Sequence, residues 1–422
     1  MARLVLSEGT ARGLSFVYYI VAARVLAPHG FGVLRYTTTL ALMALGASQV
    51  LATALNRELG AARNDRTRYP ALIGSASVVA LAIFATASVL LLAAHAGGLT
   101  GSADLAGLVV VLLGFASFQL YYAIARGCGD FKRAAAVYAG GSFFQLVTFI
   151  GIVLVTRPGP TTALVVFGVS TLLPVLLYEA IRPVLRTTGF RVDRRALATF
   201  WRLGSPLLVA QLGYAVWSSA DSIWVENTLG TANVGIYSAA KTLSQVFLVV
   251  TVGVNGVVLP RAAELVSAGR VPEATRLIHT AAAGVMTVIA VMAAVTVVVR
   301  APLLDLVYGD GYAAAAGALT ALALSASLYG AFQTLCMGAV AFGRPSVYTV
   351  GIATSAAALL FLFVLGHGRS PAFAAWAVAG SMGAGLACVM LVLLRRPLGR
   401  GHPAAKRTWT TNPRAHATSQ DG

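Results

Sequence analysis

The chain has 422 residues, of which 58% are apolar and 11% charged, against about 45–50% and about 25% in soluble domains, which sets a water-soluble globule aside. Its 31 Lys and Arg against 14 Asp and Glu give a formal charge of +17, which on a soluble protein would point to nucleic acid. Cys128, Cys336 and Cys388 lie far apart with no C-x-x-C spacing, so neither a disulfide framework nor a metal site is read, and no cofactor is expected.

A helix needs about 20 apolar residues to cross a roughly 30 Å hydrocarbon layer. In chain order the runs are Leu4–Ala27, Tyr36–Leu55, Ala71–Ala94, Leu105–Ala125, Ala134–Thr156, Thr161–Ile181, Leu207–Val225, Val234–Leu259, Leu277–Val299, a stretch within Ala313–Phe342, Ser346–Gly366 and Ala372–Leu394. These predict an all-α, polytopic membrane protein of twelve transmembrane helices. Pro70 and Pro206 stand just before runs and read as helix starts, where the missing N–H is harmless. Pro174 lies inside a run and predicts a kink. Glu8, Arg12 and Arg24 interrupt the first run, which is therefore read as retained rather than as a cleaved signal.

The basic residues explain the net charge by their placement. With the N-terminus inside, the internal segments "NRELGAARNDRTRYP", "RGCGDFKR", "RPVLRTTGFRVDRRALATFWR", "PRAAELVSAGRVPEATR" and "FGRP" and the tail from Arg395 are all basic. The external segments "HAGGLTGSAD", "RPGP", "ENTLGTAN", "RAPLLDLVYGDGY" and "GHGRSP" carry one basic residue or none. Cytoplasmic loops hold the Lys and Arg excess, so both termini are expected in the cytoplasm, in the cell inner membrane. The charge then serves topology and contact with membrane lipids, and no nucleic-acid partner is expected.

The chain also reads as one unit written twice. "LAPHGFGVLRYTTTLALM" from Leu26 and "LGTANVGIYSAAKTLSQV" from Leu229 agree at Leu26/Leu229, Gly32/Gly235, Thr39/Thr242 and Leu40/Leu243, at a constant offset of 203. The expected organisation is an N-terminal six-helix lobe (1–183), a cytoplasmic linker (184–205), a C-terminal six-helix lobe (206–394) and a basic disordered tail (395–422). With six helices between the copies, both lobes face the same way, related by a pseudo-two-fold along the membrane normal.

Three stretches, "ARVLAPHGFGVLRY", "LGTANVGIYSAAKTLSQVFLVVTVGVNGVVLPRAAEL" and "LVYGDGYAAAAGAL", make the chain resemble the polysaccharide-biosynthesis and oligosaccharide flippases of the multidrug/oligosaccharidyl-lipid/polysaccharide (MOP) exporter superfamily. The resemblance implies two six-helix lobes around a central cavity through which a polyprenyl-pyrophosphate-linked sugar crosses the membrane, and a polysaccharide polymerase as a further partner. Other branches carry a drug or lipid II. The positively charged cavity that the resemblance implies is carried over to Arg12, Arg24, Arg35 and Lys241 as substrate-binding candidates.

Read as residues, these positions keep two accounts each. An ionisable side chain at mid-membrane costs at least about 2.5–3.5 kcal/mol and asks for a partner or a wet cavity. Glu8 and Arg12 are four apart and share a helix face, as a local ion pair or as part of a site. Asp221 and Lys241 stand at similar depth on either side of "ENTLGTAN", as a structural pair or as a cavity-lining, ion-responsive one. Lys241 aligns with Thr38 in the other half, so the repeat does not require its charge. Arg24 and Arg35 flank the first external loop, either snorkelling to headgroups or joining a cationic lining. Tyr18, Tyr19, Tyr214, Trp217 and Trp224 are packing residues or stacking surfaces for sugar rings.

No phosphate-binding G-x-x-x-x-G-K-[ST] loop and no H-E-x-x-H or G-x-S-x-G motif is present, so an enzyme is not expected. A membrane glycosyltransferase would need clustered carboxylates that the scattered acids do not supply. The alternative within the same superfamily is a cation-coupled multidrug antiporter, which asks for carboxylates in the N-terminal lobe.

Overall fold

The structure is a computed structural model that describes residues 2–62, 65–98, 100, 103–181, 183, 189–309, 311–366 and 370–395; side chains at 2–6, 8, 66 and 206 are outside the description. The tail beyond 395 and linker positions 184–188 therefore lie outside the described residues. Fourteen α-helices are present among the described residues. They are α1 (Ala2–Ala44), α2 (Gly46–Ala61), α3 (Tyr69–Ala96), α4 (Leu105–Gly127), α5 (Phe131–Val155), α6 (Pro160–Ile181), α7 (Arg194–Leu229), α8 (Thr231–Gln245), α9 (Leu248–Ser267), α10 (Val271–Val298), α11 (Arg300–Tyr308), α12 (Ala316–Ala341), α13 (Ser346–Leu365) and α14 (Pro371–Arg395).

These helices make twelve crossings. α1 turns back on itself at Ala27, where φ is 54° and ψ 174°, so it supplies the first crossing and the start of the second, which α2 completes. The eighth crossing is likewise split between α8 and α9 at Val246–Phe247. In the N-terminal lobe α1 packs on α5, α4 on α6 and α2 on α4; in the C-terminal lobe α12 packs on α10 and α14, and α13 on α7 and α14. The lobes meet chiefly where α1 lies against α8.

Helix starts follow ordinary chemistry. Asp104, Asp130 and Asp193 accept from the backbone N–H of Gly107 (2.7 Å), Arg133 (3.1 Å) and Arg195 (2.9 Å) and cap α4, α5 and α7, satisfying donors that a helix leaves open. Pro70 stands in the first turn of α3, as the sequence predicts. Pro206 does not start a helix: the Asp193 cap begins α7 about three turns earlier, and the helix runs through it.

Three further expectations change. The predicted loop between the first two crossings shrinks to Ala27, because Pro28 both disfavours helical geometry before it and begins the next helix. "ENTLGTAN" is not a loop either: α7 runs to Leu229, Gly230 alone breaks it at φ 84° and ψ 170°, and α8 starts at Thr231. "RAPLLDLVYGDGY" contains α11, whose Tyr308 hydroxyl donates to the Ala239 carbonyl at 3.1 Å.

The repeat is written in the backbone. Ala27 and Gly230 are 203 residues apart and hold the same unusual conformation. Gly32 and Gly235, also 203 apart, interlock: a Cβ on Gly32 would stand 2.0 Å from the Thr231 carbonyl oxygen, and one on Gly235 1.9 Å from the Pro28 carbonyl oxygen. Pro28 and Thr231 are themselves equivalent at that offset, so the contact is the self-complementary one a two-fold axis generates. It seals one end of the molecule, hereafter the sealed end. Tyr312 adds to the seal by donating to the Ala23 carbonyl at 2.8 Å and packing edge-on to Phe31.

Candidate functional site

Behind the seal, three adjoining cavities of about 540, 270 and 120 Å³ share Tyr214 and Gln245. The largest lies between α1 and the α8–α9 break and is lined by Arg12, Tyr19, Tyr138, Ser142 and Leu248 among others. The second reaches Arg35, Gln49, Gln211 and Lys241. The smallest sits within the C-terminal lobe, against Asp221, Ser325 and Tyr329.

Asp221 and Lys241 meet as their matched depth predicts. The Lys241 ammonium donates to both carboxylate oxygens, at 2.8 and 2.7 Å, and to the Ser218 carbonyl at 2.8 Å. Tyr237 donates to Asp221 Oδ2 at 2.7 Å and the Ser222 N–H to Oδ1 at 2.7 Å. Asp221 is 1% exposed and Lys241 18%. Both oxygens of this buried carboxylate thus have donors from within the protein. The charge of Lys241 is thereby neutralised inside the protein, although its side chain still borders two of the cavities.

Arg35 is not at a headgroup level. With the loop gone it stands two turns into the second crossing, and its guanidinium lies over the Tyr19 ring, 4.4 Å from the centroid. Its Nε is buried with no hydrogen-bond partner among the described residues. Stacking leaves a guanidinium's in-plane donors available to an oxyanion. Arg12 is exposed to the large cavity and has no ion-pair partner among the described residues. Nearby, Ser15 and Ser142 share a 3.0 Å hydrogen bond that ties α1 to α5.

Arg24 is elsewhere. It donates from Nε to the Val307 carbonyl at 2.8 Å and from Nη2 to the Leu306 carbonyl, so it fastens α1 to the C-terminal end of α11, where carbonyls lack helical partners. It lines none of the three cavities. Glu8 lies outside the described side chains. Of the aromatic candidates, Tyr19, Tyr214 and Trp217 border the cavities. Tyr18 is fully buried and donates to the Ala163 carbonyl at 2.9 Å. Trp224 stacks on Phe363 in the C-terminal lobe.

Sequence reasoning passed over the amides Gln49, Gln211 and Gln245, which line the cavities, and Tyr138. The available signal was an uncharged polar side chain inside an apolar run, which hydrocarbon disfavours without a partner. It also placed Glu226 in a loop. That carboxyl is buried and accepts from Thr231 Oγ1 at 3.0 Å across the Gly230 break.

The chain is similar to a multidrug resistance MATE family transporter of the MOP superfamily in its inward-facing conformation (TM-score 0.71, 16% identity, 92% of this chain and 94% of that one). The outward-facing conformation of such a transporter gives 0.65 at 15% identity, with 93% and 94% covered. The lipid II flippase MurJ in an inward closed conformation gives 0.71 at 13% identity, with 93% and 88% covered. No curated protein matches the chain by sequence.

The protein is therefore a multi-pass membrane protein with the two-lobed, twelve-crossing fold of the MOP transporter superfamily. Within it, residues 21–317 match the family model described as polysaccharide biosynthesis protein, and the chain belongs to that family.

Proposed function

We propose that the protein moves a polyprenyl-pyrophosphate-linked oligosaccharide across the cytoplasmic membrane by alternating access, for cell-surface polysaccharide synthesis. The observation that carries this reading is the charge left over in the cavities. Among the described residues, Arg12 and Arg35 face them with no acidic partner, whereas Asp221, the one carboxylate among the described lining residues, is already engaged by Lys241 and Tyr237. A net cationic chamber with Tyr19, Tyr138, Tyr214, Trp217 and Tyr329 in its wall suits an anionic pyrophosphate joined to sugar rings. The MurJ likeness and the family membership support the same substrate class.

The basic loops lie at the end opposite the seal, so by the positive-inside tendency the chamber opens toward the cytoplasm. The higher score against the inward-facing neighbour supports that state. A drug antiporter coupled to a cation would need a carboxylate free to bind it, and the lining as described leaves none uncommitted.

The test is translocation of a fluorescent polyprenyl-pyrophosphate oligosaccharide in proteoliposomes. Arg12→Ala/Arg35→Ala should cut the initial rate at least tenfold, since each charge-assisted contact to a phosphate is worth about 1.5–3 kcal/mol. Wild-type rates in the double variant, or drug efflux with no sugar-lipid movement in the unaltered protein, would remove the proposal.

A further inference from the structure

The first turns of α7 form a feature that the cavity does not use. The chain before it is fixed to the N-terminal lobe: Arg191 N–H donates to the Pro70 carbonyl at 3.2 Å, and Asp193 N–H to Ser75 Oγ at 3.0 Å. Gly74 faces the Arg191 backbone so closely that a Cβ there would stand 2.4 Å from its carbonyl oxygen. Ala196 and Phe200 then pack into a core with Leu55, Leu59, Leu72 and Ile73. One face of the helix is thereby spent.

The opposite face has the helical repeat. Arg194, Arg195, Ala198, Trp201 and Arg202 are all exposed, at spacings that place them on one stripe. Trp201 is 72% exposed, and the preceding Phe190 is 65% exposed beside an exposed Arg191. The nearest acid, Asp193, is half-buried and accepts from the Arg195 N–H as the helix cap. None of the four arginines has an acidic partner among the described residues.

The level of this stripe follows from what comes next. Leu207, Val209 and Leu212 are exposed and apolar, as lipid-facing positions must be. Leu207 is six residues past Trp201, about 9 Å along a helix at 1.5 Å per residue. Trp201 and its arginines accordingly sit at the hydrocarbon boundary, where tryptophan is enriched because one part of its ring system is apolar and the other hydrogen-bonds.

We propose that this face, from Phe190 to Arg202, is a docking surface for anionic phospholipid headgroups, with Trp201 inserted at the acyl boundary and Arg191, Arg194, Arg195 and Arg202 holding phosphates. Rigid attachment to α3 presets the arginines. Anionic lipid in the basic-side leaflet then fastens the segment joining the lobes to the membrane surface.

Full-length detergent-purified protein is titrated with short-chain phosphatidylglycerol or phosphatidylcholine, and bound lipid is counted by native mass spectrometry. Phosphatidylglycerol should bind saturably and in preference to phosphatidylcholine. Replacing Arg194, Arg195 and Arg202 by Gln should weaken it roughly fivefold for each arginine removed. Trp201→Ala should weaken both lipids alike. The corresponding Arg→Lys triple variant should retain binding, which separates lost charge from lost fold, and Arg270→Gln, remote in sequence and paired to Glu273, should leave it unchanged. Equal binding of the two lipids, an unaltered Gln triple variant, or full competition by inorganic phosphate would overturn the proposal, the last by identifying a small-anion site. A flat lipid titration alongside retention of a soluble protein partner would overturn it in favour of a protein-binding face.

Discussion

The two copies of the repeat agree in backbone and disagree in charge. At the sealed end Ala27 matches Gly230, Pro28 matches Thr231 and Gly32 matches Gly235, each pair in equivalent geometry. Deeper in, from about one to about four helical turns away, the offset of 203 pairs Tyr18 with Asp221, Thr38 with Lys241, Arg12 with Ala215 and Arg35 with Ser238. Among the described residues the N-terminal copy therefore offers two cations with no acidic partner, and the C-terminal copy one neutralised pair. Close backbone contact tolerates no side chain and is held constant. Wall positions beyond it are free to diverge, and an asymmetric wall can orient a ligand that has one charged end.

The largest effect should come from breaking the shared part. Gly235→Leu puts a side chain where even a Cβ meets the Pro28 carbonyl oxygen at 1.9 Å, so the ends of α1 and α8 have to part. Sugar-lipid movement should fall to background, and cysteines placed at positions 29 and 232 should lose the cross-linking they show in the parent. Normal cross-linking in the variant would refute the seal.

Next comes the unshared pair. Asp221→Asn strands a part-buried ammonium and should destabilise the protein by up to about 3 kcal/mol, read as thermal unfolding in detergent. Giving the C-terminal copy the residues of its mate, Asp221→Tyr with Lys241→Thr, removes both charges. It should lie closer to the parent than Asp221→Asn does, since no lone charge remains. If the single variant is neutral, the pair is not holding the fold.

A smaller effect is expected at Arg35→Lys. The charge survives, while the planar stack on Tyr19 and the fixed donor geometry are lost. We expect a few-fold rise in the substrate concentration giving half-maximal rate, with the maximal rate nearly kept. The smallest effect concerns Ala27, which holds a φ/ψ combination that costs a side chain of order 1–3 kcal/mol. Ala27→Gly, which copies Gly230, should stabilise by about 1 kcal/mol, measured by the same unfolding assay.

Much of this architecture is legible in the amino-acid sequence. Twelve apolar runs give twelve crossings because hydrocarbon forces every backbone group into a helix, and the Gly32/Gly235 match lies on the pseudo-axis. The pairing of Asp221 with Lys241 was readable from equal depth around one turn. Arg24 and Arg35 were harder, because their meaning depended on the length of the turn between them. Reading a loop there put both at the surface; with a break of one residue, Arg35 is half-buried over Tyr19 and Arg24 reaches α11. Uncharged lining residues such as Gln245 left no sequence signal stronger than a polar letter in an apolar word.

Helix α7 belongs to both lobes at once. Ala196 and Phe200 are packed among residues of α2 and α3, whereas Ala210 packs with Phe332 and Ile352, and Gly213 faces Ile352. Between these two anchorages run Gly204, Ser205 and Pro206, and proline leaves the carbonyl of residue 202 without its helical donor. Under the proposed alternating access, rotation of one half against the other would fall on that short stretch, as on the universal joint of a continuous shaft. Pro206→Ala, which restores the missing donor, should then slow sugar-lipid movement in proteoliposomes while leaving thermal unfolding in detergent unchanged.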